Sequence, residues 1–240
     1  MNLEEFKAYF EKSCLENQIT PPNEVQMGQF WEFTQFLLKV NAETNLTAIR
    51  TVPEIIAKHY VDSLTVCSSI PLDARVLDLG CGPGFPSIPI AIARPDLAVF
   101  GLDSTEKKIR FLNDSAKLLK ISSLKGVSGR AEDIKTRKAL QNFDVVVSRA
   151  VSRLNVLSEL CMPYVRVGGK MIAMKGSKGA EELAEAKSAI KTLGGTAELR
   201  EFALVLEGVS EQRSFIEVQK IKETPKEYPR AYAAILKKPL

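Results

Sequence analysis

Twelve residues, Arg75-Val76-Leu77-Asp78-Leu79-Gly80-Cys81-Gly82-Pro83-Gly84-Phe85-Pro86, carry the strongest chemical signal in this 240-residue chain. A hydrophobic run enters a turn with glycine at alternate positions, and a helix-prone segment follows. Glycine reaches unusual backbone angles and lets a ligand approach the main chain closely. The dinucleotide fingerprint G-x-G-x-x-G/A wants a small residue where this chain has Phe85, which argues against a nicotinamide site. The spelling is instead D-x-G-x-G-x-G, with Asp78 ahead of Gly80, Gly82 and Gly84. Asp103 ends a second β-prone run 19 residues after Gly84, where a carboxylate can accept both hydroxyls of a ribose; its other common use is to cap the next helix. A third run closes on Gly129-Arg130-Ala131-Glu132-Asp133, the place where an adenine edge would be read. Ala131 and Glu132 also suit an ordinary acidic first helical turn. A fourth run ends in Ser148-Arg149-Ala150.

Two other residue types are informative by what they exclude. His59 is the only histidine, within Lys58-His59-Tyr60-Val61-Asp62-Ser63, and no G-x-S-x-G elbow exists to complete a hydrolase triad. The four cysteines, Cys14, Cys67, Cys81 and Cys161, form no C-x-x-C pair. Buried free thiols are therefore expected, with no disulfide framework and no metal site.

The elements that must position these residues alternate. Short β-prone runs at 75–80, 98–103, 124–130, 143–150 and 169–175 are separated by helical stretches near 85–93, 105–120, 131–140, 153–161 and 178–193. Two more strands, 198–206 and 214–221, follow with no helix between them. That order predicts an α/β fold: a doubly wound, Rossmann-like, mostly parallel sheet finished by an antiparallel hairpin. Ahead of it, apolar residues at helical spacing mark helices over 3–15, around Phe30–Val40 and over 52–67, with a polar, turn-like stretch at 41–49. The expected organisation is a helical extension over 1–70, a catalytic domain over 71–222 and a basic, irregular tail over 223–240. A hydrophobic fraction of 45% with 26% charged residues suits a globular chain. The apolar runs at 88–93 and 143–147 are far too short to span a bilayer, and residues 1–20 hold no secretory h-region, so a cytoplasmic protein without membrane partners is expected. The net charge of +4 divides unevenly: −4 over 1–70, +4 over 71–219 and +4 over the last 21 residues. Such a layout suits a polyanion at the rear of the molecule, or merely a solvated surface.

The D-x-G-x-G-x-G spelling is the one used by S-adenosylmethionine-dependent methyltransferases. In such enzymes the end of the fourth strand faces both donor and acceptor. Here it lacks the Asn/Asp-Pro-Pro-aromatic turn common among enzymes that methylate exocyclic amino groups. Cys161 lies in an apolar helical context unsuited to the nucleophile that base-carbon methylation needs. What remains is an acceptor already nucleophilic at neutral pH, such as a ring nitrogen, for which Arg149 could orient the base or simply form a structural salt bridge.

Taken in order, Asn45-Leu46-Thr47, His59 with Asp62-Ser63, Asp78 to Pro86, Asp103-Ser104 with Lys107-Lys108, Ser148-Arg149-Ala150 and Lys175-Gly176 resemble the RsmG/GidB family. Its members are bacterial small-subunit rRNA guanine-N7 methyltransferases. The resemblance spans nearly the whole chain. It implies S-adenosylmethionine as methyl donor, no metal, and a guanine of 16S rRNA, in the small ribosomal subunit, as acceptor; a monomer is the favoured state. Carried over by position, Gly80, Phe85, Ala131, Glu132 and Arg149 would contact the cofactor, with Asp103 at its ribose. Asn45, His59, Asp62, Ser63 and Lys175 would surround or brace the acceptor, while Lys107, Lys108, Arg153, Lys175 and Lys178 would meet phosphates. The tail departs from the family's Pro-Gly-containing basic stretch, running instead Tyr228-Pro229-Arg230-Ala231-Tyr232-Ala233-Ala234-Ile235. Rival readings are a methyltransferase of the same fold acting on a small molecule or protein, and a ribosome-assembly factor that binds RNA without turnover.

Overall fold

A computed structural model describes residues 1–240. Two helices open the chain, α1 (Leu3–Glu16) and α2 (Glu24–Thr44), and both start at an asparagine cap: Asn2 pairs reciprocally with Glu5, and Asn23 with Gln26. In each case the side-chain oxygen of asparagine accepts an orphan backbone N–H of the first turn, and the residue at the third position reaches back. Next come α3 (Val52–Glu54), a π-helical segment (Ile55–Val61) and α4 (Asp62–Leu64), which run on as one helical rod.

The alternating part follows: β1 (Arg75–Leu79), α5 (Ser87–Ala93), β2 (Ala98–Asp103), α6 (Glu106–Leu118), β3 (Leu124–Ser128), α7 (Ile134–Ala139), β4 (Phe143–Arg149), α8 (Leu154–Cys161), β5 (Val165–Lys175) and α9 (Gly179–Thr192). The hairpin β6 (Gly195–Leu206) and β7 (Val209–Lys220) and a final α10 (Tyr232–Lys237) complete the chain. The sheet order is β3-β2-β1-β4-β5-β7-β6, parallel through β5 and antiparallel from β5 to β7 and β6. Strand order runs outward in opposite directions from the parallel neighbours β1 and β4, so their carboxyl ends flank a crevice suited to a ligand.

Side-chain alternation along each strand builds two cores. On β4, Val145 and Val147 face the layer formed by the N-terminal helices with α5 and α6, while Val146 faces α8 and α9. The first layer holds an aromatic cluster centred on Tyr60, which is fully buried against Phe10, Phe30, Phe33 and Phe85, with its hydroxyl 2.8 Å from Thr34 Oγ1. Burying a side chain of this size contributes about 2–3 kcal/mol. The cluster joins residues before position 70 to the glycine turn in one continuous core. Polar ties reinforce it: Gln26 Nε2 donates to Ile92 O and Ala93 O, and Asn17 bonds both the N–H and C=O of Val205 on the edge strand β6.

Two local expectations fail. The stretch 41–49 was expected to be turn-like, yet α2 continues to Thr44 and ends at Asn45 in the left-handed conformation (φ 51°). The turn that follows is closed by Asn41, whose side chain bonds the backbone N–H and C=O of Thr47, so a residue read as turn-former acts from inside the helix. The tail is not irregular throughout. α10 forms over Tyr232–Lys237 because Ile235 finds a fully buried seat beside α8.

Candidate active site

The glycine turn leaves β1 with three left-handed residues, Gly80 (φ 78°), Gly82 (φ 55°) and Gly84 (φ 112°). A Cβ on Gly80 would collide with the side chain of Val151, which lies across it. Gly80 and Cys81 N–H donate to Leu102 O, and Gly82 N–H donates to Asp103 Oδ2 at 3.1 Å, so the turn folds onto the end of β2. Asp103 is not the cap of α6; that position is Thr105, whose N–H donates to Asp103 Oδ1 at 2.8 Å. Each carboxylate oxygen keeps a second lone pair, and Asp103 lines a cavity of about 340 Å³.

The same cavity is lined by Gly80, Gly82, Ser104, Lys108, Ala131, Glu132, Ala150, Val151 and Tyr232. Ala131 and Glu132 precede α7, which is capped at Asp133, so they form the lip beyond β3 rather than a helical turn. Asp78 lies beneath the turn, fully buried. Its Oδ2 accepts from Ser87 N–H at 3.0 Å and from Ser87 Oγ, while Oδ1 has no partner. Burial pushes its carboxyl up to about 7 against the opposing Ser87 hydrogen bonds. Asp78 therefore braces the turn from behind. A Gly80 backbone closed over by Val151, a carboxylate with free lone pairs and a backbone lip beyond β3 fit the methionine, ribose and purine parts of S-adenosylmethionine.

A second cavity, about 470 Å³, is lined by Lys58, His59, Asp62, Arg149, Met174, Lys175, Glu182, Phe202 and Arg213. Ala150 (φ 56°) lines both cavities and is the divide between them. Here the structure brings together His59, Asp62, Arg149 and Lys175. Asp62 is clamped between two guanidinium groups, accepting from Arg149 Nη1 at 2.7 Å and from Arg213 Nε at 3.0 Å. Arg149 Nη1 also donates to Lys58 O at 3.0 Å. The π-helical segment assists this contact, because Asp62 N–H bonds Ala57 O rather than Lys58 O. Lys175 Nζ donates to Ser152 O and pairs with Glu182, both at close range and mostly buried.

His59 is stacked on Phe85, ring centroids 4.0 Å apart and planes within 10°. Its Nε2 lies 3.0 Å from Thr47 Oγ1 and its Nδ1 lies 3.4 Å from Arg149 Nη2. A guanidinium only donates, so Nδ1 is the acceptor and Nε2 carries the proton toward Thr47. Burial, with the Arg149 charge second, pushes the imidazole down to about 3, so it is neutral at physiological pH.

Six expected residues do not line the cavity expected for them: Asp78, Gly84, Ser63 and the three that follow. Arg149, placed in both the cofactor and acceptor sets, lines the 470 Å³ cavity and adjoins Ala150, which lines both. Phe85 lines neither: it is packed between Phe33, Tyr60 and His59, with the Arg149 guanidinium 5.9 Å from its ring centroid, and acts as the platform carrying both. Asn45 is an exposed helix terminator bonded to Arg50, outside both cavities. Ser63 is buried on the same rod with its hydroxyl unpartnered. Four contributors were not anticipated as site residues: Thr47, Glu182, Arg213 and Tyr232. Cys161 is fully buried with its thiol pushed well up by desolvation, consistent with an inert core residue.

A family model for GidB, described as rRNA small subunit methyltransferase G, matches residues 26–208. The chain belongs to this family. Relatives bearing the name "Ribosomal RNA small subunit methyltransferase G" include those of Lachnoclostridium phytofermentans, 43% identical over 91% of both chains, and Limosilactobacillus reuteri, 41% identical over 96% of this chain and 98% of the relative. That of Brevibacillus brevis is 44% identical over 90% of this chain and 91% of its own. Among solved structures, an O-methyltransferase from Bacillus cereus in complex with SAH aligns with a TM-score of 0.57 at 15% identity, covering 91% of this chain and all of that one. M. jannaschii TYW2 in complex with AdoMet aligns at 0.56 and 14% identity, over 75% and 81% of the two chains. These two establish the methyltransferase fold alone. The residues lining both cavities lie within the family match, except Arg213, Phe215 and Tyr232.

The buried imidazole gives a pH prediction. Unfolded, His59 takes up a proton near pH 6.5; folded, it resists until about 3. Between those values the unfolded state holds more protons, so folding stability falls as pH drops through the window. Urea unfolding at pH 7.5 and 5.0 is expected to show about 2 kcal/mol less of this acid loss in His59→Gln than in the unaltered chain. Equal losses would mean that His59 is not the titrating group.

Proposed function

We propose that the protein transfers a methyl group from S-adenosylmethionine to N7 of a guanine in 16S rRNA of the small ribosomal subunit, with the 340 Å³ cavity taking the donor and the 470 Å³ cavity the base. The observation that carries this reading is the pairing of the titratable groups around the acceptor cavity. Asp62 is shared by two arginines, His59 has both nitrogens engaged, Lys175 is bound to Glu182 and Ser152, and Glu182 also accepts from Leu154 N–H. Each is committed to a partner, and both carboxylates are paired with cations, so none stands as an uncommitted general base. A hydroxyl or exocyclic amine would have to lose a proton on methylation, whereas guanine N7 offers a lone pair and loses none.

S-adenosylmethionine, when bound, supplies an electrophilic methyl on a sulfonium. The chain's residues then have one task, to place the base in line, which can account for many orders of magnitude in rate. Asp103 would accept the ribose hydroxyls while staying anchored to Gly82 and Thr105. Arg149 keeps Nε and part of Nη2 available, and a guanidinium so held can donate to the guanine carbonyl beside N7. The base must be unpaired or flipped to enter.

Among the cations expected at phosphates, Arg153 and Lys178 are exposed near the acceptor cavity, and Lys107 is exposed while donating to Thr44 O. Lys175 is withdrawn from that role, since its ammonium is enclosed by Ser152 and Glu182, and Lys108 faces the donor cavity. No helix is long and apolar enough to cross a membrane.

The reading is tested in cells by nucleoside mass spectrometry of 16S rRNA with and without the gene. Loss of N7-methylguanosine in the deletion, restored by the gene, is the expected result; an unchanged level would overturn it.

A further inference from the structure

One wall of the donor cavity comes from outside the alternating sheet. Tyr232, on α10, lines it together with Leu79, Leu102, Ala131 and Leu160, and the Tyr232 ring packs against the core cluster containing those four residues. The tail that delivers it is fastened at three points. Arg230 donates from its backbone N–H and from Nε to Glu159 Oε1, each at 2.8 Å, and from Nη2 to Oε2, and Glu159 is fully buried on α8. Arg137 on α7 donates to Tyr228 O at 2.7 Å. Ile235 is fully buried, while Tyr232 itself stays partly exposed. A buried carboxylate is strongly unfavourable unless paired, so Glu159 pins Arg230 to one place. Two residues later the helix presents Tyr232 toward the cavity.

We propose that Tyr232 is a cofactor-contacting residue, its ring packing against the purine of the donor, with Arg230, Glu159 and Ile235 as the positioning set. The inference rests on the donor-cavity reading given above. The end of the cavity nearest the acceptor is fixed by Ala150, so the nucleoside end must lie toward Asp103 and the Gly129–Glu132 lip. The tail is tied to α7 and α8, the helices that follow β3 and β4, and so reaches that end from outside. A flat aromatic ring with a polar tip suits a partly wet purine site. This part of the tail lies beyond residues 26–208, the span of the family model.

The test is calorimetric binding of S-adenosylhomocysteine and of adenosine to the full-length protein and its variants. Tyr232→Ala is expected to weaken both about tenfold, whereas Tyr232→Phe stays within about twofold, because the ring face is kept. Tyr232→Ala should stay folded, since Arg230 and Ile235 still hold the tail, and 16S rRNA binding should hold, since Tyr232 does not line the acceptor cavity. Unchanged affinity in Tyr232→Ala, or an equal loss in both variants, would overturn the proposal. Absence of S-adenosylhomocysteine binding to the unaltered protein would instead overturn the donor-cavity reading, and this inference with it.

Discussion

Arg149→Ala is expected to lower kcat/KM for methyl transfer by about 10²–10³-fold, with S-adenosylhomocysteine affinity unchanged within about twofold. The asymmetry follows from where the side chain lies: it lines the acceptor cavity and is absent from the donor cavity. The fold should survive, because Asp62 retains Arg213 at 3.0 Å and Phe85 retains its aromatic neighbours. Arg149→Lys should rescue little. One ammonium cannot hold Lys58 O and Asp62 Oδ2 while pointing a planar fork at a base. Steady-state kinetics with 16S rRNA or small subunits, beside calorimetry, separates the two effects. Equal loss of catalysis and cofactor affinity would return Arg149 to the donor site.

Asp103→Ala is expected to do the reverse, raising the dissociation constant for S-adenosylhomocysteine about 100-fold while RNA binding holds. Two causes add. Hydrogen bonds to a charged group are worth about 1.5–3 kcal/mol each, so losing the ribose acceptors accounts for most of the effect. The rest comes from releasing Gly82 N–H and Thr105 N–H, which the carboxylate holds in the shape of the turn. Asp103→Asn should fall between, since one oxygen becomes an amide NH2, a donor facing donors. Calorimetric titration of all three proteins checks the order; an unaffected Asp103→Ala would remove the carboxylate from the cofactor site.

The donor side was the more legible half in the sequence, for a local reason. Gly80, Gly82, Gly84 and Asp103 act through backbone angles and strand ends, which spacing and hydrophobic alternation report directly. The parallel order and the closing hairpin followed from the same alternation. The acceptor side depends on contacts between distant residues. Asp62 meets Arg149 and Arg213, and Lys175 meets Glu182, through packing of the helical rod, β4, β5, β7 and α9 that no periodicity encodes. Arg213 fell just outside the strand expected over 214–221, since β7 begins at Val209, and the π-helical register of Ile55–Val61 has no distinct residue pattern. Thr47 stood within a recognised segment, but its role appears only when His59 rotates onto Phe85. The tail misled because six helix-compatible residues between Pro229 and Pro239 are too few to form a helix alone; the buried seat of Ile235 makes the difference.

The net charge of +4 played a small part beside these contacts. Several basic side chains counted in it are consumed internally, as with Lys175, Arg213 and Arg230. Lys107, Arg153 and Lys178 stay exposed, Arg153 while paired with Glu185.

We propose that two cavities divided by Ala150 bring a methyl donor to a guanine nitrogen that has no proton to lose. This is tested most directly by incubating the purified protein with methyl-labelled S-adenosylmethionine and small ribosomal subunits lacking the modification, then mapping the label by mass spectrometry of nuclease fragments. One labelled N7-methylguanosine in 16S rRNA is the predicted result. Label on an exocyclic amine, a ribose hydroxyl or protein, or no transfer to RNA, would contradict the account.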